Sequence, residues 1–128
     1  MAEVIDTSVL IGFLRGHSPA VEFVKNALRR RTFATVITVF ELEVGVLPGS
    51  PQAHAVRQLL EQFVILPLDE VAARRAGEVE RSLRARGEVI GVADTLIAGI
   101  ALSHQLAVAT ENVEHFERVP NLEVIPVR

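Results

Sequence analysis

Three carboxylates carry the chemistry this chain could perform. Asp6 ends the short apolar run Val4-Ile5 and is followed at once by Thr7-Ser8. Glu41 sits within Thr38-Val39-Phe40-Glu41-Leu42, and Asp94 within Ala93-Asp94-Thr95-Leu96-Ile97-Ala98. Each falls where a strand ends or a helix begins, so acids far apart in sequence can converge on one edge of a parallel sheet. Three carboxylates within about 5 Å of one another repel by roughly 3 kcal/mol per pair at an effective dielectric of about 20. A hard divalent cation with an oxygen preference, magnesium or manganese, relieves that repulsion. A cluster of this kind points to metal-dependent hydrolysis of a phosphoester.

Each acid also has an ordinary structural reading. Asp6 can serve as the N-cap of a helix starting at Thr7. Thr38-x-x-Glu41 reads as a capping box, with the glutamate reaching back to the N-cap amide. Asp94 can favour a helix N-terminus through the macrodipole. Asp69, the remaining one of three aspartates, follows Pro67-Leu68 and opens a helix. What favours a site is the joint placement of Asp6, Glu41 and Asp94 at one predicted rim. His17, His54, His104 and His115 show no metal-ligand spacing. The chain has no cysteine, which excludes zinc–thiolate sites, thiol catalysis and a disulfide scaffold.

The elements that must position these acids alternate between solid apolar runs and helical periodicity. Strands are predicted over Glu3–Ile5, Phe33–Ile37, Phe63–Leu66, Leu106–Ala109 and Leu122–Ile125. Between them the pattern predicts helices over Thr7–Arg15, from a Ser18 cap to about Arg30, over Thr38–Leu47, and over Gln52–Gln62. A long helix runs from an Asp69 cap to Arg86 and stops at Gly87. Another follows Gly91-Val92, and a short one spans Val113–Phe116. Strands separated by helices imply parallel pairing with right-handed crossovers. In such sheets ligands bind beyond the carboxyl ends of the strands. Asp6 and Asn112 fall just past two such ends, with Glu41 and Asp94 in the first turns of helices.

At 128 residues and 49% hydrophobic content, the chain is expected to form one domain over 1–128 with a real core. Met1-Ala2-Glu3 lacks the basic start of a signal peptide. The apolar stretches are too short or too polar to span a bilayer. The lack of cysteine fits a cytoplasmic protein. A net charge of −3 is not that of a general nucleic-acid binder. The charge is unevenly spread, however. There are twelve arginines to one lysine, concentrated in Arg29-Arg30-Arg31, Arg74-Arg75 and Arg81, Arg84 and Arg86. Arginine offers a planar fork suited to phosphate, and Arg15 and Arg86 are candidates for holding a backbone. These clusters also read as solvated helix faces. Tyr and Trp are absent, which argues against an aromatic base-stacking platform.

Taken together, the motifs resemble those of PIN-domain ribonucleases of the VapC-like toxin class. The matching segments are Ile5-Asp6-Thr7-Ser8, Thr38 to Gly45, Asp94-Thr95-Leu96-Ile97-Ala98, Ala109-Thr110-Glu111-Asn112 and His115-Phe116-Glu117-Arg118-Val119. Their order and spacing agree along the whole chain. The resemblance implies a three-layer α/β/α sandwich around a five-stranded parallel sheet. It implies RNA cleavage dependent on Mg2+ or Mn2+, control by a small antitoxin protein, and a homodimer. Apolar Val39, Leu42, Val46, Leu47, Val56, Leu59 and Leu60 exceed what one sheet face needs and fit that dimer. The resemblance makes Asp6, Glu41 and Asp94 the catalytic and metal-binding acids. Ser8 and Thr110 become supporting hydroxyls, and Asn112 matches a position where the family often has asparagine or aspartate. The chain departs from the family at His115, where a fourth acid is common; a histidine there could touch a phosphate or leaving group. Two other readings compete. A degenerate PIN scaffold would bind RNA or a partner without cutting. A receiver-type signalling module would need paired acids after the first strand, an aspartate ending a middle strand and a late lysine. Here Asp6 stands alone, the third strand runs into Leu66-Pro67-Leu68, and Lys25 is the single lysine.

Overall fold

Strand β1 (Glu3–Ile5) lies at the centre of a sheet completed by β2 (Phe33–Thr35), β3 (Val64–Leu66), β4 (Ala107–Thr110) and β5 (Val124–Pro126). The spatial order is β3-β2-β1-β4-β5, and every pairing is parallel. The computed structural model describes residues 2–128; Met1, the first residue of the expected 1–128 domain, lies outside them. Between the strands run α1 (Thr7–Leu14), α2 (Ser18–Ala27), α3 (Val36–Val44), α4 (Pro51–Leu60), α5 (Glu70–Arg86), α6 (Val92–Ser103) and α7 (Val113–Glu117).

Alternation along the strands builds two cores. Val4 and Val108 point to one face, where they meet Ala72, Val79 and Leu83 of α5, Ile97, Ile100 and Ala101 of α6, and Phe116 of α7. Ile5 and Ala109 point to the other, against Val9 and Leu10 of α1, Ala20 and Val24 of α2, and Val56 and Leu59 of α4. Two buried faces explain why the strands read as solid apolar runs. The result is the expected α/β/α sandwich.

Local signals set several boundaries as the sequence predicts. Asp69 Oδ1 accepts from the Ala72 N–H at 2.9 Å, and Gly87 ends α5 in the left-handed region at φ 67°. Ser50 caps α4 by accepting from Ala53 N–H at 3.1 Å, with Pro51 at the first helical position.

Three expectations need correction. First, β2 ends at Thr35 and α3 begins at Val36, two residues before the predicted start. Thr35 is the N-cap, its hydroxyl accepting from Thr38 N–H at 3.3 Å. Thr38 and Leu42 are buried on this helix, so packing overrides the β-preference of Val36-Ile37. Second, the helix cap before Pro19 is His17, with Ser18 already inside α2. Third, Leu42, Val56 and Leu59, counted as surplus apolar surface, belong to the core. The exposed apolar residues of the α3 region are instead Val36, Phe40, Val44 and Leu47.

Candidate active site

The strand order reverses direction between β1 and β4, and a parallel sheet opens a crevice at the carboxyl end of such a point. Asp6 leaves β1 there. Its backbone N–H still donates to Ala109 O at 2.9 Å, continuing the β1–β4 ladder, so its position is pinned by the sheet. Asp6 occupies the N-cap position of α1 with extended backbone, yet its carboxylate makes no capping bond. Instead Oδ2 accepts from Ser8 Oγ and from Thr110 Oγ1, both at 2.8 Å. The helix gives up a usual cap in favour of this arrangement.

The same hydroxyls lace down the loop after β4. Thr110 Oγ1 accepts from Asn112 N–H at 2.8 Å, and Ser8 Oγ accepts from Glu111 N–H at 3.2 Å. Asp6 is only 3% exposed. Burial pushes its carboxyl above the ordinary value of 3.8, and the nearby charge of Asp94 adds to the rise. Hydrogen bonds from Ser8, Thr110 and the Thr7 backbone oppose it. Among the described residues no Lys, Arg or His forms an ion pair with Asp6.

Asp94 lies in the first turn of α6, whose cap is Gly91 at φ 97°. Its Oδ2 stands 3.0 Å from His115 Nδ1 and 3.4 Å from Asn112 Nδ2. Thus Asp6, Ser8, Thr110, Asp94, Asn112 and His115 are drawn together from the end of β1, α1, β4, α6 and α7.

Glu41 is placed differently from expectation. It sits in the second turn of α3, because the helix starts at Val36, and no capping box forms with Thr38. Its Oε1 accepts from Thr7 Oγ1 at 2.6 Å, and Thr7 Oγ1 also lies 2.8 Å from Thr38 Oγ1. Glu41 is not among the charges that act on Asp6. Among the described residues, no three His, Asp or Glu side chains are close enough together to hold a metal. Asp94 is thus the acid whose charge acts on Asp6, and Glu41 is tethered to Thr7, the residue after Asp6. Sequence reasoning missed Thr7; its position between Asp6 and Ser8, at the start of α1, was the available signal. A cleft beside Glu41 is lined by Ile11, Leu14, Arg15, Leu42 and Val46 among others. Arg86, the other candidate backbone contact, is occupied: it pairs with Glu88 at 3.0 Å and donates to the Arg118 carbonyl.

Known proteins resemble this chain in sequence and in fold. The PIN domain family model matches residues 4–122. Ribonuclease VapC10 of Mycobacterium tuberculosis is 36% identical over 121 residues, covering 94% of this chain and 90% of that protein. The tRNA(fMet)-specific endonuclease VapC of Salmonella typhimurium is 27% identical over 124 residues, covering 94% of each. Among solved structures, DNA-bound VapBC from Salmonella typhimurium superposes with a TM-score of 0.89 at 26% identity over the full length of both chains. VapBC-5 from Mycobacterium tuberculosis, a member of a family of toxin–antitoxin systems, gives 0.76 at 31% identity over 98% of each chain. With its sheet order, its acid pair at the β1–β4 crevice and these relatives, the chain belongs to the PIN-domain family and stands among its VapC-like members.

Proposed function

We propose that this chain is an endoribonuclease, the toxin of a toxin–antitoxin pair, and that it hydrolyses RNA phosphodiester bonds at Asp6, Glu41 and Asp94. The single observation that carries the reading is Asp6: a buried carboxylate with no cationic partner among the described residues, supported by two hydroxyls and sharing its crevice with Asp94. Proteins rarely bury such a group without a purpose. The relatives named ribonuclease and endonuclease VapC support RNA cleavage as that purpose.

Divalent-metal dependence is general in the family, and the residues here fit Mg2+ or Mn2+. Magnesium binds through one or two carboxylates and keeps several waters, which is what the Asp6–Asp94 pair offers. When bound, such a cation supplies Lewis acidity and offsets charge on the phosphate. Asp6 and Asp94 would hold it. Ser8 and Thr110 keep the Asp6 carboxylate oriented by their two hydrogen bonds. Glu41, whose Oε1 is engaged by Thr7, would take a proton from the attacking water. The burial of Asp6 lowers the local dielectric and strengthens each of these contacts.

The partners of this reading are RNA and a small cognate antitoxin; the second is supported by likeness to VapBC-5, a member of a family of toxin–antitoxin systems. The setting is the cytoplasm, and no described helix is long and apolar enough to cross a membrane. Residues 1–128 act as one PIN-like domain. The exposed stripe of Phe40, Val44 and Leu47 supports a homodimer, which light scattering at tens of micromolar tests; a monomer there excludes it. The decisive experiment compares RNA cleavage by the wild type with that by Asp6→Asn and Asp94→Asn in magnesium or manganese. Loss of cutting in both supports the reading. Retained RNA binding with no cutting by the wild type selects a non-cleaving scaffold instead.

A further inference from the structure

Beside the acids lies a second cleft, of about 370 Å3, lined by Ser8, Ile11, Gly12, Arg15, His17 and Glu111. Ser8 joins the two places: its hydroxyl donates to Asp6 at 2.8 Å, and it also lines the cleft. Glu111 is held there by three contacts. Its backbone N–H donates to Ser8 Oγ at 3.2 Å, and its Oε2 stands 3.3 Å from His17 Nδ1. The same oxygen lies over Gly12, where a Cβ would come within 2.8 Å of it. Gly12 therefore leaves the space that the carboxylate occupies. Gly16, at φ 76°, turns the chain after α1, and His17 N–H donates back to Gly12 O at 2.8 Å. The turn brings His17 to Glu111, with Arg15 on the same cleft.

Arg15 forms no ion pair among the described residues, and the Glu111 side chain is 28% exposed, so both can meet a ligand. The cleft thus offers an acceptor-only carboxylate and a donor-only guanidinium. The carboxylate repels a phosphate, and the guanidinium repels a basic peptide side chain. A nucleobase suits both. Guanine matches best: its N1–H and N2–H2 point the same way and fit the two oxygens of a carboxylate, while its O6 and N7 accept from arginine. Adenine, cytosine and uracil each carry N–H at a single position of that edge, so none serves both oxygens. A carboxylate has about four lone-pair sites, so the bond to His17 leaves room for the base. Ile11 gives the cleft an apolar contact for the ring.

We propose that this cleft is a base-reading subsite that takes a guanine of the RNA strand next to the bond being cut. Glu111 accepts from the Watson–Crick edge, and Arg15 donates to O6 and N7. His17 orients Glu111 and is a positioning residue. Sequence-specific recognition of single-stranded RNA works by hydrogen bonds to the edges of unstacked bases, which these side chains can supply. The inference rests on RNA cleavage at Asp6, as in the function proposed above, and gives that site a sequence preference.

Two measurements test it. In the first, the wild type cuts a random-sequence RNA pool in Mn2+ and the product ends are sequenced. Guanine should be enriched at one fixed position beside the cut, and Glu111→Gln should abolish that enrichment while other positions keep theirs. In the second, with chelator present so that nothing is cut, binding is measured for an oligoadenylate hexamer carrying one guanine or one inosine, which lacks the 2-amino group. Guanine should bind about tenfold more tightly than inosine to the wild type and equally to Glu111→Gln. Arg15→Gln should weaken both and keep their ratio, since both bases have O6 and N7. The binding arm needs no cleavage, so a chain that cuts no RNA fails the function proposed above and is still judged here. Thermal melting checks that each variant is folded, and the comparison of guanine with inosine in the wild type needs no variant. A His17–Glu111 pair that only tethers two loops would, in Glu111→Gln, lower cleavage of every sequence alike. Enrichment of another base at that position, or enrichment unmoved by Glu111→Gln, overturns the proposal. So does binding of neither hexamer to the wild type, or equal affinity for the two, which would return Glu111 to a contact with a basic partner peptide.

Discussion

Thr7 Oγ1 donates to Glu41 Oε1 at 2.6 Å and so ties the first residue of α1 to the second turn of α3. This bond connects the residue after Asp6 to an acid 34 positions after it in the chain. It also separates two roles for Glu41. Glutamine at this position retains an oxygen for Thr7 but cannot act as a base. Glu41→Gln should therefore melt close to wild type while RNA cleavage falls by about 10²-fold or more. Asp69→Asn is the control, since asparagine also caps a helix. Cleavage near the wild-type rate in Glu41→Gln would remove Glu41 from the chemistry.

Asp6 should impose a pH dependence on stability. Its native carboxyl titrates above the ordinary 3.8, chiefly through burial. Between the two values the native state holds a proton that the unfolded state has released, so stability falls as pH rises through that window. Asp6→Asn abolishes this loss. In the presence of chelator, the melting midpoint of Asp6→Asn minus that of wild type should grow from acidic pH upward and level off once Asp6 is ionised. A difference independent of pH would show that Asp6 ionises without strain.

Divalent cation should relieve the same strain. Ligand at about 100 times Kd stabilises by about 2.7 kcal/mol, several degrees for a domain of this size. Melting with and without manganese measures it. The rise should vanish in Asp6→Asn combined with Asp94→Asn; a rise that persists would place the cation elsewhere.

The α5–α6 contact gives a prediction independent of function. A Cβ on Gly99 would come within 2.5 Å of Ala76 Cβ and 2.7 Å of the Ala76 backbone, so the two helices would have to separate. Gly99→Ala should cost about 2–3 kcal/mol by overpacking. A Cβ on Gly77, in the same helix pair, meets nothing within 4 Å. Gly77→Ala should then gain up to about 1 kcal/mol from helix propensity. Urea melts of both variants check the opposite signs.

Much of the architecture was legible in the sequence because it is written locally. Ser50-Pro51, Asp69 and Gly87 set helix ends through bonds that reach only a few residues, and the apolar runs marked the buried strands. The placement of Asp6 past β1 followed from strand topology alone. What tertiary structure decided was the partner of each polar side chain. Thr35 rather than Thr38 caps α3, since the burial of Thr38 and Leu42 starts the helix early. That shift moves Glu41 out of a capping box and onto Thr7. Asp6 forgoes its cap for Ser8 and Thr110, the latter 104 residues away. Asp94, Asn112 and His115 meet only because α6 and α7 pack on the same face of the sheet. Local capping and the long-range bond are worth similar energies, on the order of 1 kcal/mol each. Sequence spacing cannot choose between them; the choice falls to whichever partner the packed helices bring within reach.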